Sequence, residues 1–225
     1  MYIDSWFILL VLPALILSLI AQAGVNSAYK KYSQVRSLRG MTGRDAAETI
    51  LRSNGIYDVA IEPIKGNLTD HYDPKAHVIR LSEGVYASAS IAAVGIAAHE
   101  AGHAVQHNVG YAPIKIRNAV LPAANLGSML AFPLILIGLF LQMFFLMDLG
   151  VVFFGATTLF QLVTLPVEFN ASSRALHAID AGGVLGSDEL KGAKSVLRAA
   201  AMTYVAALAV SFAQLLRFFM MTRRR

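Results

Sequence analysis

Five residues near the middle of the chain, His99-Glu100-Ala101-Gly102-His103, have the types and spacing of a metal-dependent hydrolase. On an α-helix, residues four apart differ by about 40° in azimuth and lie roughly 6 Å apart along the axis, so both imidazoles can reach one ion. Glu100 then projects to the adjacent side. There a carboxylate can take a proton from water that the metal has acidified, giving a nucleophile for a polarised carbonyl. By chance the pattern arises in a chain of this length with a probability on the order of one per cent, so its context decides its weight. The flanks Ile96-Ala97-Ala98 and Ala104-Val105 imply burial. Buried polar groups without partners are costly, which argues against three idle side chains on a wet helix face. The chain has no cysteine, so any metal is held by His, Asp or Glu. Two histidines and a carboxylate with a fourth position open favour zinc, one ion per chain.

A third protein ligand must come from elsewhere. The metzincin arrangement needs a glycine at 106 and a histidine at 109, where this chain has Gln106 and Val109. His107 lies roughly 12 Å along the axis from His99, too far to share its ion easily, and reads as structural or substrate-side. Glu168 directly follows the apolar Thr164-Leu165-Pro166-Val167, and an ionisable group at a membrane boundary invites a functional explanation. It also reads as a helix N-terminal carboxylate facing the dipole, with Pro166 and Glu168 opening a helical stretch over 170–181. The residues alone leave both readings open.

The elements that must position these groups are mostly membrane helices. With 56% hydrophobic and only 15% charged residues, and a mean hydropathy of +0.56, the 225-residue chain is too apolar for a soluble domain. Its net charge of +5 falls mainly between apolar stretches rather than in basic runs interleaved with aromatics, so it reads as a topology signal and not as nucleic-acid binding. Residues 1–23 hold an uncharged apolar run of roughly 18 residues from Trp6, long enough to cross a bilayer, flanked by Asp4 before and Lys30-Lys31 after. Without a basic leader it reads as a retained anchor, its N-terminus outside and the following segment in the cytoplasm.

Residues 24–118 form the one long polar stretch and should be the soluble domain. Thr42 caps a helical pattern (Ala46, Ala47, Ile50, Leu51) that stops at Asn54-Gly55. Strand-like runs follow over 59–64, 68–72 and 76–81, and then an Ala-rich helix over 88–108. Residues 119–167 contain two apolar runs meeting near Asp148-Leu149-Gly150, read as a transmembrane hairpin whose ends share one membrane face. Residues 168–198 carry the candidate third ligand. Residues 199–225 hold a last apolar run followed by Arg217 and Arg223-Arg224-Arg225, which this topology places outside, against the positive-inside tendency. The fold class expected is a mainly α membrane protein with about four transmembrane helices and a small α+β zincin-like domain.

The chain resembles the YugP-like neutral zinc metallopeptidases of bacterial membranes over nearly its whole length. The passages that carry the likeness are Leu68-Thr69-Asp70-His71-Tyr72-Asp73-Pro74, Val78-Ile79-Arg80-Leu81-Ser82, the His99 to His103 motif, and Leu165-Pro166-Val167-Glu168-Phe169-Asn170-Ala171-Ser172. It is more distantly similar to HtpX-like and prenyl-protein membrane peptidases, which set membrane helices between H-E-x-x-H and a glutamate in an E-x-x-A-D pattern. The resemblance implies a gluzincin-type site in the inner membrane with Glu168 as third ligand. Ser172 stands where the distant relatives have aspartate, so the partner that orients a ligand histidine falls to Asn170, Ser172 or Asp180. It further implies that the run His77 to Leu81 is an edge strand on which a peptide is laid.

Oxyanion or substrate-side candidates are Arg174 and His177 after Glu168, and His71 and Tyr72 before the motif. Arg174 equally suits an acidic lipid or Asp180. Two rivals remain: an intramembrane protease drawing its third ligand from Asp180 in Ile179-Asp180-Ala181-Gly182-Gly183, and a metal-braced scaffold without catalysis. The partners expected are a peptide or membrane-protein substrate and the lipid bilayer. Nothing in the sequence speaks to oligomeric state.

Overall fold

The computed structural model describes residues 4–223, which divide into two compact units. One comprises residues 23–111 and 167–201, and the other the remaining helical segments.

In the first unit, α2 (Gly43–Ser53) starts with a reciprocal capping box. Thr42 Oγ1 accepts from the Asp45 backbone and the Asp45 carboxylate accepts from the Thr42 backbone. Those bonds, from the Thr42 hydroxyl first and its backbone second, hold the Asp45 carboxyl below its ordinary pKa. The helix ends at Asn54, with Gly55 in the left-handed region, as its Asn-Gly stop suggests.

Three strands follow, β1 (Ala60–Ile64), β2 (His71–Asp73) and β3 (Val78–Ser82), in the order β1-β3-β2. β3 is therefore central, parallel to β1 and antiparallel to β2, and buried along nearly its whole length. The expectation that His77 to Leu81 forms a sheet edge is thereby corrected. The continuous Val78-Ile79 and Leu81-Ser82 burial is that of a strand covered on both faces. Asp70 pins β2 to it, its carboxylate accepting from the Ser82 backbone at 2.7 Å and from the Ser82 hydroxyl.

A short α3 (Glu83–Tyr86) leads to α4 (Ile91–Asn108), whose start is capped by Ser90 accepting from the Ala93 N–H. The core around α4 contains Ile50 of α2, Ile79 and Leu81 of β3, and Ala97, Ala98 and Ala101 of α4 itself. Ala175 and Ile179 complete it from the later helix Phe144–Ala181.

Among the described residues four helices are long and apolar enough to cross a membrane. They are α1 (Leu12–Ser33, preceded by a π-helical turn Phe7–Val11), α5 (Ala112–Phe140), α6 (Phe144–Ala181) and α7 (Ser187–Arg223). α5 and α6 form the expected hairpin, but its turn lies at Leu141–Met143 and not at Asp148-Leu149-Gly150. Gln142 takes the left-handed conformation (φ 54°) and the Met143 N–H reaches back to the Gly138 carbonyl, a C-terminal cap made without glycine. Gly150 is instead a packing residue, since a Cβ there would sit 2.8 Å from the Ala131 carbonyl. Nor does a helix begin at Pro166. α6 runs through it unbroken, so Glu168 lies well inside a helix and the N-terminal dipole reading falls.

In the second unit Gly127 lets the α6 backbone approach, with the Phe153 carbonyl inside contact distance of where a Cβ would be. Thr158 and Ser211 share a buried hydrogen bond of 2.8 Å between α6 and α7. Arg217 on α7 donates from Nε and Nη2 to Asp4 Oδ2 at 3.0 and 2.8 Å, and is only 6% exposed. Arg217, the first arginine of the C-terminal group, is thus paired within the chain. Arg223 lies 4.6 Å from the centroid of the Phe219 ring, and Arg224 and Arg225 lie outside the described residues.

Candidate metal centre

α4 supplies His99 and His103, four residues apart and with ring centroids 4.7 Å apart. α6 brings Glu168 to the same point. Its Oε2 lies 3.3 Å from His99 Nε2 and 3.6 Å from His103 Nε2, and one donor atom from each residue falls within 4.8 Å of the others. Charge-assisted N–H···O bonds are usually 2.7–2.9 Å. Two donors of a tetrahedral ion, each at about 2.0–2.1 Å from it, stand about 3.3 Å apart, so the spacing and the donor chemistry both fit zinc.

Gly102 makes this possible. A Cβ on Gly102 would lie 2.6 Å from the Ala171 carbonyl, so α6 touches the α4 backbone one turn beyond Glu168. The motif's fourth residue thus sets the approach of the helix that carries the third donor.

The histidines are oriented from behind. Ser172 Oγ lies 3.1 Å from His99 Nδ1, and Gln106 Oε1 lies 3.0 Å from His103 Nδ1. Gln106 is fully buried, and its Nε2 donates to the Val167 carbonyl at 2.8 Å and to Asn170 Oδ1 at 3.0 Å. Arg174 Nε donates to that same Asn170 oxygen at 2.7 Å. Burial works against a charge on His103. The hydrogen bond to Glu168, the fields of Glu100 and Glu168 and the bond to Gln106 outweigh it and raise the pKa.

Glu100 is 8% exposed, and no hydrogen bond from the chain reaches its carboxylate among the described residues. Its oxygens are not among the buried atoms lacking a partner, so the carboxylate beside the donor cluster remains within reach of water.

The remaining expected residues scatter. Arg174 and His177 line a cavity of about 320 Å³ with Ile50, Gly102 and Val105, on the α2 side of α4. His71 bonds the Thr69 carbonyl at its own turn. The Tyr72 ring lies 6.0 Å from that of His107, whose other ring neighbour is His77 at 6.1 Å. Burial first, then the fields of Asp58 and Asp73, push the Tyr72 phenol up, keeping it a neutral donor. Asp180 is exposed and twelve residues beyond Glu168, about 18 Å along the helix.

Gln106 was not among the expected site residues. Its signal was available in the sequence: a glutamine in the Ala-rich buried helix, three residues past His103 and so on the metal side.

The family model described as "Putative neutral zinc metallopeptidase" matches residues 7–223. The chain is 49% identical over 214 residues, 95% of each sequence, to a protein of Bacillus subtilis (strain 168) named "Putative membrane protease YugP". No solved structure matches.

Proposed function

From the premise that the chain belongs to this neutral zinc metallopeptidase family, we propose that it is a membrane-embedded, zinc-dependent endopeptidase of the gluzincin type. His99, His103 and Glu168 hold the ion. When bound, zinc supplies a Lewis acid that acidifies water and polarises a substrate carbonyl. Glu100 takes the water proton on its carboxylate and hands it to the departing amine. The observation that carries this reading is Glu100 itself: its carboxylate stands next to the donor set with no chain donor on it among the described residues, and its oxygens are not sealed from solvent. A structural carboxylate would need such a partner, whereas a base must keep its lone pairs for water.

With β3 central, the strand edge proposed for a peptide is that of β2, whose Tyr72 packs against His107, on the Glu100 face of α4 about two turns along. Substrates are peptides or exposed loops of membrane proteins. The basic residues of the polar segment favour a site facing the cytoplasm, in the inner membrane.

The test is cleavage of casein or a membrane protein by Glu100→Gln beside wild type, with zinc content measured in both. Activity should fall by about 10²–10⁴-fold with zinc retained. Equal activity would instead leave a metal-braced scaffold. The intramembrane alternative loses ground because Asp180 lies apart from the donors and α4 is not among the helices apolar enough to span. Loss of zinc in Asp180→Asn with retention in Glu168→Gln would revive it.

A further inference from the structure

The hydrogen bonds behind His103 form a line whose direction cannot be reversed. At one end the Val167 backbone carbonyl, an acceptor only, faces Gln106 Nε2 at 2.8 Å. At the other end Arg174 Nε–H, a donor only, faces Asn170 at 2.7 Å, so the Asn170 atom there is its oxygen. That oxygen also receives Gln106 Nε2 at 3.0 Å. Both constraints turn the Gln106 amide the same way, with its oxygen towards His103 Nδ1. His103 Nδ1 must then carry a proton, and when the ring is neutral this leaves Nε2 with the lone pair on the side of Glu168. His99 has no such constraint, because the Ser172 hydroxyl that meets its Nδ1 can donate or accept.

We propose that Gln106 is a positioning residue that fixes the tautomer of His103 and, by gripping the carbonyl next to Glu168, ties the third donor's helix to the second donor. This rests on the zinc reading above for its consequence, but not for the tautomer itself. Gln106 is fully buried and bridges α4 to α6, so one side chain sets both the lone pair offered by His103 and the place of Val167. Removing such an orienting partner usually lowers metal affinity 10–100-fold.

The experiment uses the full chain in detergent micelles, with wild type, Gln106→Met, Gln106→Glu and Ser172→Ala. Two readouts apply: zinc affinity by competition with a chelator, and ¹⁵N-histidine NMR of the metal-free protein at a pH where the rings are neutral. Gln106→Met should lose zinc affinity 10–100-fold and shift His103 from Nδ1–H towards a mixture of tautomers. Gln106→Glu keeps an acceptor at the same place and should keep Nδ1–H, whereas Ser172→Ala should leave the His103 signal unchanged. A Gln106→Met protein that binds zinc within twofold of wild type, or retains a single Nδ1–H form, overturns the assignment. If Gln106→Met does not fold, loss of Nδ1–H in Gln106→Glu overturns it. A wild type that binds no zinc refutes the peptidase reading, while the tautomer measurement still decides the role of Gln106.

Discussion

Both units of this protein bring helices into backbone contact over a glycine, yet the contact does different work in each. In the membrane-helix unit, Gly127 and Gly150 admit the Phe153 and Ala131 carbonyls, and the gain is close packing of an apolar hairpin. In the unit around α4, Gly102 admits the Ala171 carbonyl, and the same closeness also delivers Glu168 to two histidines. The polar groups differ in parallel. Asp4 and Arg217 pair with each other and hold α7 to the chain start, whereas one atom each of His99, His103 and Glu168 gather within 4.8 Å, a group that could hold a metal ion. Where buried charges pair off they stabilise, and where like-sided lone pairs are forced together they make a site.

The largest effect that bears on this contrast is expected from Arg217→Ala. It leaves the half-buried Asp4 carboxylate without its guanidinium and should cost about 3 kcal/mol, read as a lower unfolding temperature in micelles, without changing zinc affinity in the protein that remains folded. A concurrent loss of zinc affinity would show that the pair also shapes the metal centre. Next come Gly102→Ala and Gly127→Ala, each an overpacked contact costing about 1–3 kcal/mol. Only the first should weaken zinc, by more than about 10-fold, because the α6 residue that Gly102 meets, Ala171, lies within a turn of Glu168, whereas Phe153 at Gly127 lies about four turns away. Equal zinc affinity in the two variants would show that the Gly102 contact, like that of Gly127, serves packing alone. The mildest test is pH. The raised His103 pKa means that protons compete with the metal at higher pH than for an ordinary histidine of about 6.5, so affinity should fall about tenfold per unit below that raised value. The metal-free fold follows the opposite course. It gains from the His103 charge below about pH 6.5 and loses that gain as pH rises through the raised value, as thermal unfolding with and without zinc would show.

Much of this was legible along the chain. His99, Glu100 and His103 announce themselves by helical spacing, and Thr42 and Asn54-Gly55 mark the ends of α2 because caps are local chemistry. The four long apolar helices follow from segment composition alone. Other features misled for definite reasons. Asp148 and Gly150 look like a turn, but glycine serves close packing as readily as left-handed backbone, and the turn was made by Gln142. Pro166 looks like a helix start, yet a helix packed among apolar neighbours carries it.

By itself the sequence determined the donor chemistry, the membrane character and the helix that presents Glu100, since each depends on residue types within a few turns of one another. Tertiary structure alone decided three matters. β3 became the centre of the sheet, because pairing order depends on which strands meet and not on their composition. Glu168, sixty-nine residues from His99, came to lie beside both histidines where Gly102 lets α6 reach α4. Gln106 acquired a direction because a backbone carbonyl and an arginine on another helix left its amide one way to lie.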